Sequence, residues 1–180
     1  MIKIEGADII LTTSKKGWFS SAILAVLGFF QKDPVEYQHV MMALDDQLCI
    51  EAVGKGVVVS RMEDRFKDFK RYKIIRHKDI TKEQSEMIVN FSKKLVGLKY
   101  SILRIALQLF DQIFHTDFFT KLLKDPTEQV CSSLAGFCYG YVMGTKFNGV
   151  DWESCEPDDI DDESLKPDSR FKGVFEWRED

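Results

Sequence analysis

The 180-residue chain lacks several features, and each absence excludes a class of protein. No basic n-region followed by an apolar core opens it, so no signal peptide is expected and a cytoplasmic location is inferred. Its longest apolar stretch, Trp18 to Phe30, is too short to span a bilayer and is broken by Ser20, Ser21 and Gly28. Four cysteines (Cys49, Cys131, Cys138, Cys155) include no Cys-x-x-Cys pair and have no neighbouring histidine cluster. That argues against zinc, and no metal or cofactor is expected. The thiols are expected to be reduced. There is no basic excess: the formal charge is -4, against a nucleic-acid partner. Internal repeats and low-complexity linkers are also missing, so residues 1–180 are read as one domain.

What is present fits one globular domain, with 44% apolar and 30% charged residues. At this length roughly 70% of the unfolded chain's surface can be buried without staples. Charge is unevenly placed. From Arg61 to Lys78 there are eight Lys or Arg against three acids, while Asp151 to Glu163 holds eight acids and no base. The basic run could be a patch for an anionic partner and is read as a solvated face. The acidic run lacks the spaced loop of an EF-hand and is read as a solvated connector.

Hydrophobic periodicity gives an α+β order. Ala7–Thr12 reads as a buried strand. Phe19, Ile23, Val26, Leu27 and Phe30 mark a helix ended by Asp33-Pro34. Tyr37–Leu44 and Leu48–Val53 read as strands around Asp45-Asp46-Gln47, followed by strands at Val57–Met62 and Tyr72–Arg76. Thr81 and Gln84 form a capping box opening a helix that Gly97 stops. A helical block runs from Ile102 to Leu123, and Asp125-Pro126-Thr127 interrupts the chain. A last helix spans about Glu128 to Met143 with Gly144 as its stop, and Phe171–Trp177 closes as a strand.

His39 lies in an apolar strand, where its ring needs a polar partner. If the turn is the three residues Asp45–Gln47, Met41 pairs with Glu51 and His39 with Val53. His39 and Glu51 then share a face as diagonal neighbours, roughly 7–8 Å apart at Cα. Glu51 can fix the tautomer and leave the other ring nitrogen as base. A two-residue turn would put the pair on opposite faces. Cys131 is expected in the first turn of the last helix, where unpaired amides and the helix dipole favour a thiolate and can hold an oxyanion. Cys138 is deep in that helix, Cys49 is on a strand, and Cys155 lies among acids that raise a thiol's pKa. Taken singly, a strand histidine is also a core residue, a buried cysteine is also filler, and Glu51 is also a surface acid. His77 and His115 read as surface or packing residues, and no function is assigned to Trp18, Trp152 or Trp177.

The order of short motifs resembles a known family. Gly6-Ala7-Asp8-Ile9-Ile10-Leu11, Tyr37-Gln38-His39-Val40, Ile50-Glu51-Ala52 with Gly56-Val57, Gly97-Leu98-Lys99-Tyr100, Val130-Cys131-Ser132-Ser133-Leu134 and Pro157-Asp158-Asp159-Ile160 follow one another as in the permuted papain-like cysteine hydrolases. These form the YiiX/YebB-like branch of the NlpC-type superfamily, with the lecithin:retinol acyltransferase group as relatives. The resemblance spans nearly the whole chain. It implies a circularly permuted papain-like fold, with an antiparallel sheet packed against helices and the nucleophile at a helix N-terminus.

It further implies a Cys131–His39–Glu51 triad and cleavage of an amide in a small peptide or N-acyl amino acid. Tyr100 and Ser132 are the substrate-binding candidates, although Tyr100 reads equally well as a packing residue. Two departures stand out: Ala7 separates Gly6 from Asp8, and Ser133 replaces the family's acid after the cysteine. Other readings are a lipid esterase or acyltransferase, with the Trp18–Phe30 helix facing lipid, and a binding module with a relict site.

Overall fold

The computed structural model describes residues 3–15, 36–100, 128–129, 131–152 and 155–179, with the backbone alone at 99, 100, 128 and 129. The expected helix at Trp18–Phe30 and the block Ile102–Leu123 lie outside the described residues, as do His115 and Trp18. The chain is of the α+β class. Its strands are β1 (Ile9–Ser14), β2 (His39–Ala43), β3 (Leu48–Val53), β4 (Gly56–Arg61), β5 (Phe69–His77), the two-residue β6 (Lys99–Tyr100) and β7 (Glu128–Gln129), and β8 (Phe171–Arg178). The helices among the described residues are α1 (Met62–Phe66), α2 (Lys82–Lys94), α3 (Cys131–Met143) and α4 (Pro157–Leu165). Six strands form one antiparallel sheet in the order β4-β3-β2-β1-β5-β8, and β6 pairs with β7 in parallel.

Both faces of the central strands are covered, which explains why their apolar residues run together instead of alternating. Ile9, Leu11, Val40, Met42, Ile50 and Ala52 pack with Ile88 of α2 and with Leu134, Ala135 and Cys138 of α3. On the opposite face Ile10, Met41, Ala43, Cys49 and Ile74 close around Phe69 and Met62 of α1. Helix α3 comes close to its surroundings through small residues: a Cβ on Gly136 would lie 3.3 Å from Cβ of Trp152. Thr81 caps α2 in the expected box with Gln84. Gly97 and Gly144 follow α2 and α3 with positive φ (91° and 65°), a conformation an L side chain strains to adopt.

Three expectations change. Helix α3 starts at Cys131 rather than near Glu128, because Glu128 and Gln129 are taken into the ladder with Lys99 and Tyr100. The acidic run is not a solvated connector: it holds α4, with Pro157 in its first turn. Asp161 of α4 is buried against Lys73 of β5, and Lys73 Nζ also donates to Ser164 Oγ at 3.0 Å. The basic run is not a free face either. Arg65 meets Glu51, Arg71 meets Glu36 and Glu176, and Arg76 donates to both oxygens of buried Asp8 at 2.8 and 2.7 Å. Among the described residues no helix is long and apolar enough to cross a membrane.

Candidate active site

The β2–β3 hairpin sets the first half of the site. Asp45 Oδ1 accepts from the amides of Gln47 (2.8 Å) and Leu48 (2.7 Å), and the Leu44 amide donates to the Leu48 carbonyl at 2.8 Å. This Asx turn is local chemistry that an aspartate at the first position supplies. It holds the three-residue turn, and the ladder runs Ala43↔Cys49, Met42↔Ile50, Met41↔Glu51. In that register Glu51 reaches diagonally to His39, and Nε2 of the ring lies 2.8 Å from Oε2 of the carboxylate. Glu51 is only 1% exposed.

A buried carboxylate needs several partners to stay charged. Glu51 has His39, the Ser60 hydroxyl from β4, and Arg65 of α1, whose Nε is 2.8 Å from Oε1 and whose Nη2 donates to Oε2 at 3.0 Å. Burial pushes its pKa up. Hydrogen bonding and charge from His39, with Ser60 and Arg65, outweigh burial and hold it at about 2.

The second half comes from α3. Cys131 is the first residue of the helix, and its sulfur accepts hydrogen bonds from the amides of Ser132, in the same turn, and Val40 of β2. His39 hydrogen-bonds to the same sulfur. Since Nε2 faces Glu51, Nδ1 is the nitrogen left for Cys131. Burial raises the Cys131 thiol, but the charge and hydrogen bond of His39 and the two amides bring it below its ordinary value. Burial works the other way on His39, and Cys131 and Glu51 together overcome it and raise the imidazole to about 9. Both shifts favour the thiolate–imidazolium form of the pair over the neutral one. By contrast, burial pushes Cys49 and Cys138 up to about 12, and burial next to Asp159 and Glu156 pushes Cys155 well above its usual value.

Cys131, His39 and Glu51 are thus brought together, while the two accessory candidates fare differently. The Ser132 hydroxyl is buried and donates to the Cys155 carbonyl at 2.5 Å, so its side chain is unavailable to a substrate and only its amide faces the sulfur. Tyr100 lies on β6, whose ladder partner Gln129 is two residues before Cys131, and its side chain falls outside the described residues. His77 is a packing residue: it is buried edge-on against Phe171, and Nδ1 accepts from the Asp79 amide at 3.2 Å. Trp152 packs on Phe137 and Trp177 stacks on Tyr72.

Sequence reasoning missed Ser60 and Arg65. Ser60 was recoverable from the next hairpin, because it pairs with Cys49, which shares Glu51's face. Arg65 had no local signal beyond the basic run around it.

No family model matches the sequence, and no curated protein matches it. Among solved structures, the crystal structure of the metalloprotein yiiX from Escherichia coli O157:H7 superposes with a TM-score of 0.66 at 14% identity, over 98% of this chain and 99% of that one. The fold is YiiX-like. At that identity the likeness concerns the arrangement of elements, into which the Cys131–His39–Glu51 geometry is built. The neighbour's description raises the question of a metal. Among the described residues no group of three or more His, Cys, Asp or Glu side chains is placed to hold one. Both oxygens of Glu51 already face Arg65, and Oε2 also faces His39, so the donors present do not suit a cation.

Proposed function

We propose that this chain is a thiol-dependent hydrolase of the circularly permuted papain-like type, cleaving an amide bond in a small peptide or N-acyl amino acid through Cys131, His39 and Glu51. The observation that carries the reading is one chain of contacts: a cysteine at a helix start, hydrogen-bonded to a histidine whose Nε2 is 2.8 Å from a buried, ionised carboxylate. The fold likeness to yiiX supports the architecture.

Chemistry follows from the charges. The Cys131 thiolate attacks the substrate carbonyl carbon, forming a C–S bond as the carbonyl electrons move to oxygen. Backbone amides at the start of α3, which a helix leaves without intrahelical partners, are the donors assigned to that oxyanion. As the tetrahedral intermediate collapses, the C–N bond breaks and imidazolium His39 gives its proton to the leaving nitrogen. Neutral His39 then takes a proton from water, which attacks the thioester; the C–S bond breaks, freeing the acid and restoring the Cys131 thiolate beside imidazolium His39. Glu51 keeps the ring oriented and stabilises its charged form throughout. No step passes through a metal.

The test is acylation. Peptide amides, N-acyl amino acids and phospholipids are incubated with the protein, and adducts are read by mass spectrometry beside iodoacetamide labelling of all four thiols. Cys131 is expected to alkylate far faster than Cys49, Cys138 and Cys155, to lose that advantage in His39→Ala, and to carry the acyl group from an amide. Fastest labelling at another cysteine would sink the site. Turnover of phospholipids with none of amides would replace the amidase reading by a lipid esterase. Absence of any acyl-enzyme, with ligand binding indifferent to Cys131→Ala, would leave a binding module.

A further inference from the structure

We infer that Arg65 is a fourth, positioning member of this site, acting on His39 through Glu51. The inference rests on the triad reading above. Arg65 stands on α1, the five-residue helix between β4 and β5, whose Met62 belongs to the core on the sheet face opposite α3. Arg65 Nη2 donates to Glu51 Oε2 at 3.0 Å, and Nε lies 2.8 Å from Oε1 as a charge contact that is not aligned as a hydrogen bond. The guanidinium is itself held in place. Its carbon sits 5.5 Å from the centroid of the Phe69 ring, and Nη1 reaches Asp68 Oδ2 at 3.4 Å.

The geometry matters because Oε2 is shared. It receives both Nε2 of His39 and Nη2 of Arg65, whereas Oε1 faces Arg65. A carboxylate bonded at one oxygen can turn about its last torsion, which has a broad, shallow profile. A planar guanidinium against both oxygens, bonded to Oε2 and charge-paired with Oε1, restricts that freedom and holds the plane of the carboxylate. With the plane fixed, the lone pair on Oε2 stays aimed at Nε2, and the imidazole keeps Nδ1 toward Cys131. Arg65 also supplies the positive charge that keeps a carboxylate of 1% exposure ionised after His39 gives up its proton in the acylation step. Without Arg65, neutral His39 would leave Glu51 with the Nε2–H and Ser60 hydrogen bonds but without the guanidinium charge that offsets its burial. The site is therefore a relay of four residues: Cys131, His39, Glu51 and Arg65.

The experiment measures iodoacetamide labelling of Cys131 against pH in the wild type, Arg65→Met, Arg65→Lys, Glu51→Gln and the Arg65→Met/Glu51→Gln double variant, with melting temperatures alongside. Groups that orient metal ligands from behind are worth about 10–100-fold, and by analogy Arg65→Met is expected to slow labelling at neutral pH by about that much. Lysine keeps the charge and loses the planar contact with both oxygens, so Arg65→Lys should fall between the two. The double variant should be no slower than Glu51→Gln alone, because an effect carried through Glu51 vanishes with it. Should Arg65→Met fail to fold, Arg65→Lys carries the test. A melting temperature near wild type with slower labelling supports the inference, and wild-type labelling overturns it.

Full additivity in the double variant, or an unchanged rate in Arg65→Met, would also overturn it. If wild-type Cys131 labels no faster than the other thiols, the triad reading itself falls. If it labels fast, depends on His39 and ignores Arg65, only the role of Arg65 falls.

Discussion

Replacing Glu51 by Gln removes one charge from the most interlinked position in the molecule, and its cost can be worked from the structure. The folded carboxyl is held at about 2 against an ordinary 4.5, because His39, Ser60 and Arg65 together outweigh the burial that pushes it up. At about 1.4 kcal/mol per pH unit, that difference corresponds to about 3 kcal/mol favouring the carboxylate in the folded state. A carboxamide has the shape of the acid and the charge of its protonated form, so Glu51→Gln forfeits about that amount at neutral pH. For a chain of 180 residues this means a melting temperature lower by roughly 6–12 °C. The sign with pH is fixed. A depressed folded pKa contributes stability above the unfolded value of 4.5, and that stability is lost as pH falls through about 2. Urea unfolding followed by circular dichroism at pH 7, 5 and 3 should show wild type and variant converging on acidification. A loss below about 1 kcal/mol at pH 7, or one independent of pH, would mean that these partners do not hold Glu51 as a carboxylate. Activity should fall too, by about 10²–10⁴-fold, since the amide still accepts a hydrogen bond but stabilises the imidazolium less.

His39 gives the opposite pH dependence. Raised to about 9 against burial by Cys131 and Glu51, its imidazolium contributes stability that is present below 6.5 and lost as pH rises through 9. The basic limb of kcat/KM on the amide substrate should accordingly lie near 9, and a limb at 6–7 would show that the ring is not charged in the free enzyme. Away from the site, Lys73→Met leaves buried Asp161 unpaired on α4 and should cost about 3–5 kcal/mol by urea unfolding. Adding Asp161→Asn should recover much of that loss, and a single variant as stable as wild type would contradict the burial of the pair.

By itself the sequence determined the features set by near neighbours along the chain. The Thr81–Gln84 box starts α2 because both partners lie within one turn, and Gly97 and Gly144 end helices because each relieves a positive φ. Asp45 fixes a three-residue turn through its own carboxylate, and strand alternation then carries that local fact along β2 and β3 to bring Glu51 beside His39. The helix start at Cys131 was displaced by three residues because the β6–β7 ladder joins segments nearly thirty residues apart, which no local periodicity encodes.

The tertiary structure alone decided where the charges went. The run from Arg61 to Lys78 looks like a basic face in sequence, yet Arg65, Arg71, Lys73 and Arg76 point to acids elsewhere in the chain. Lys73 and Asp161 are 88 residues apart, and neither run names its partner. Coulomb attraction is not periodic and has no preferred spacing along the chain. A charge finds its partner only after the sheet has assembled, and the same assembly sets Arg65 behind Glu51.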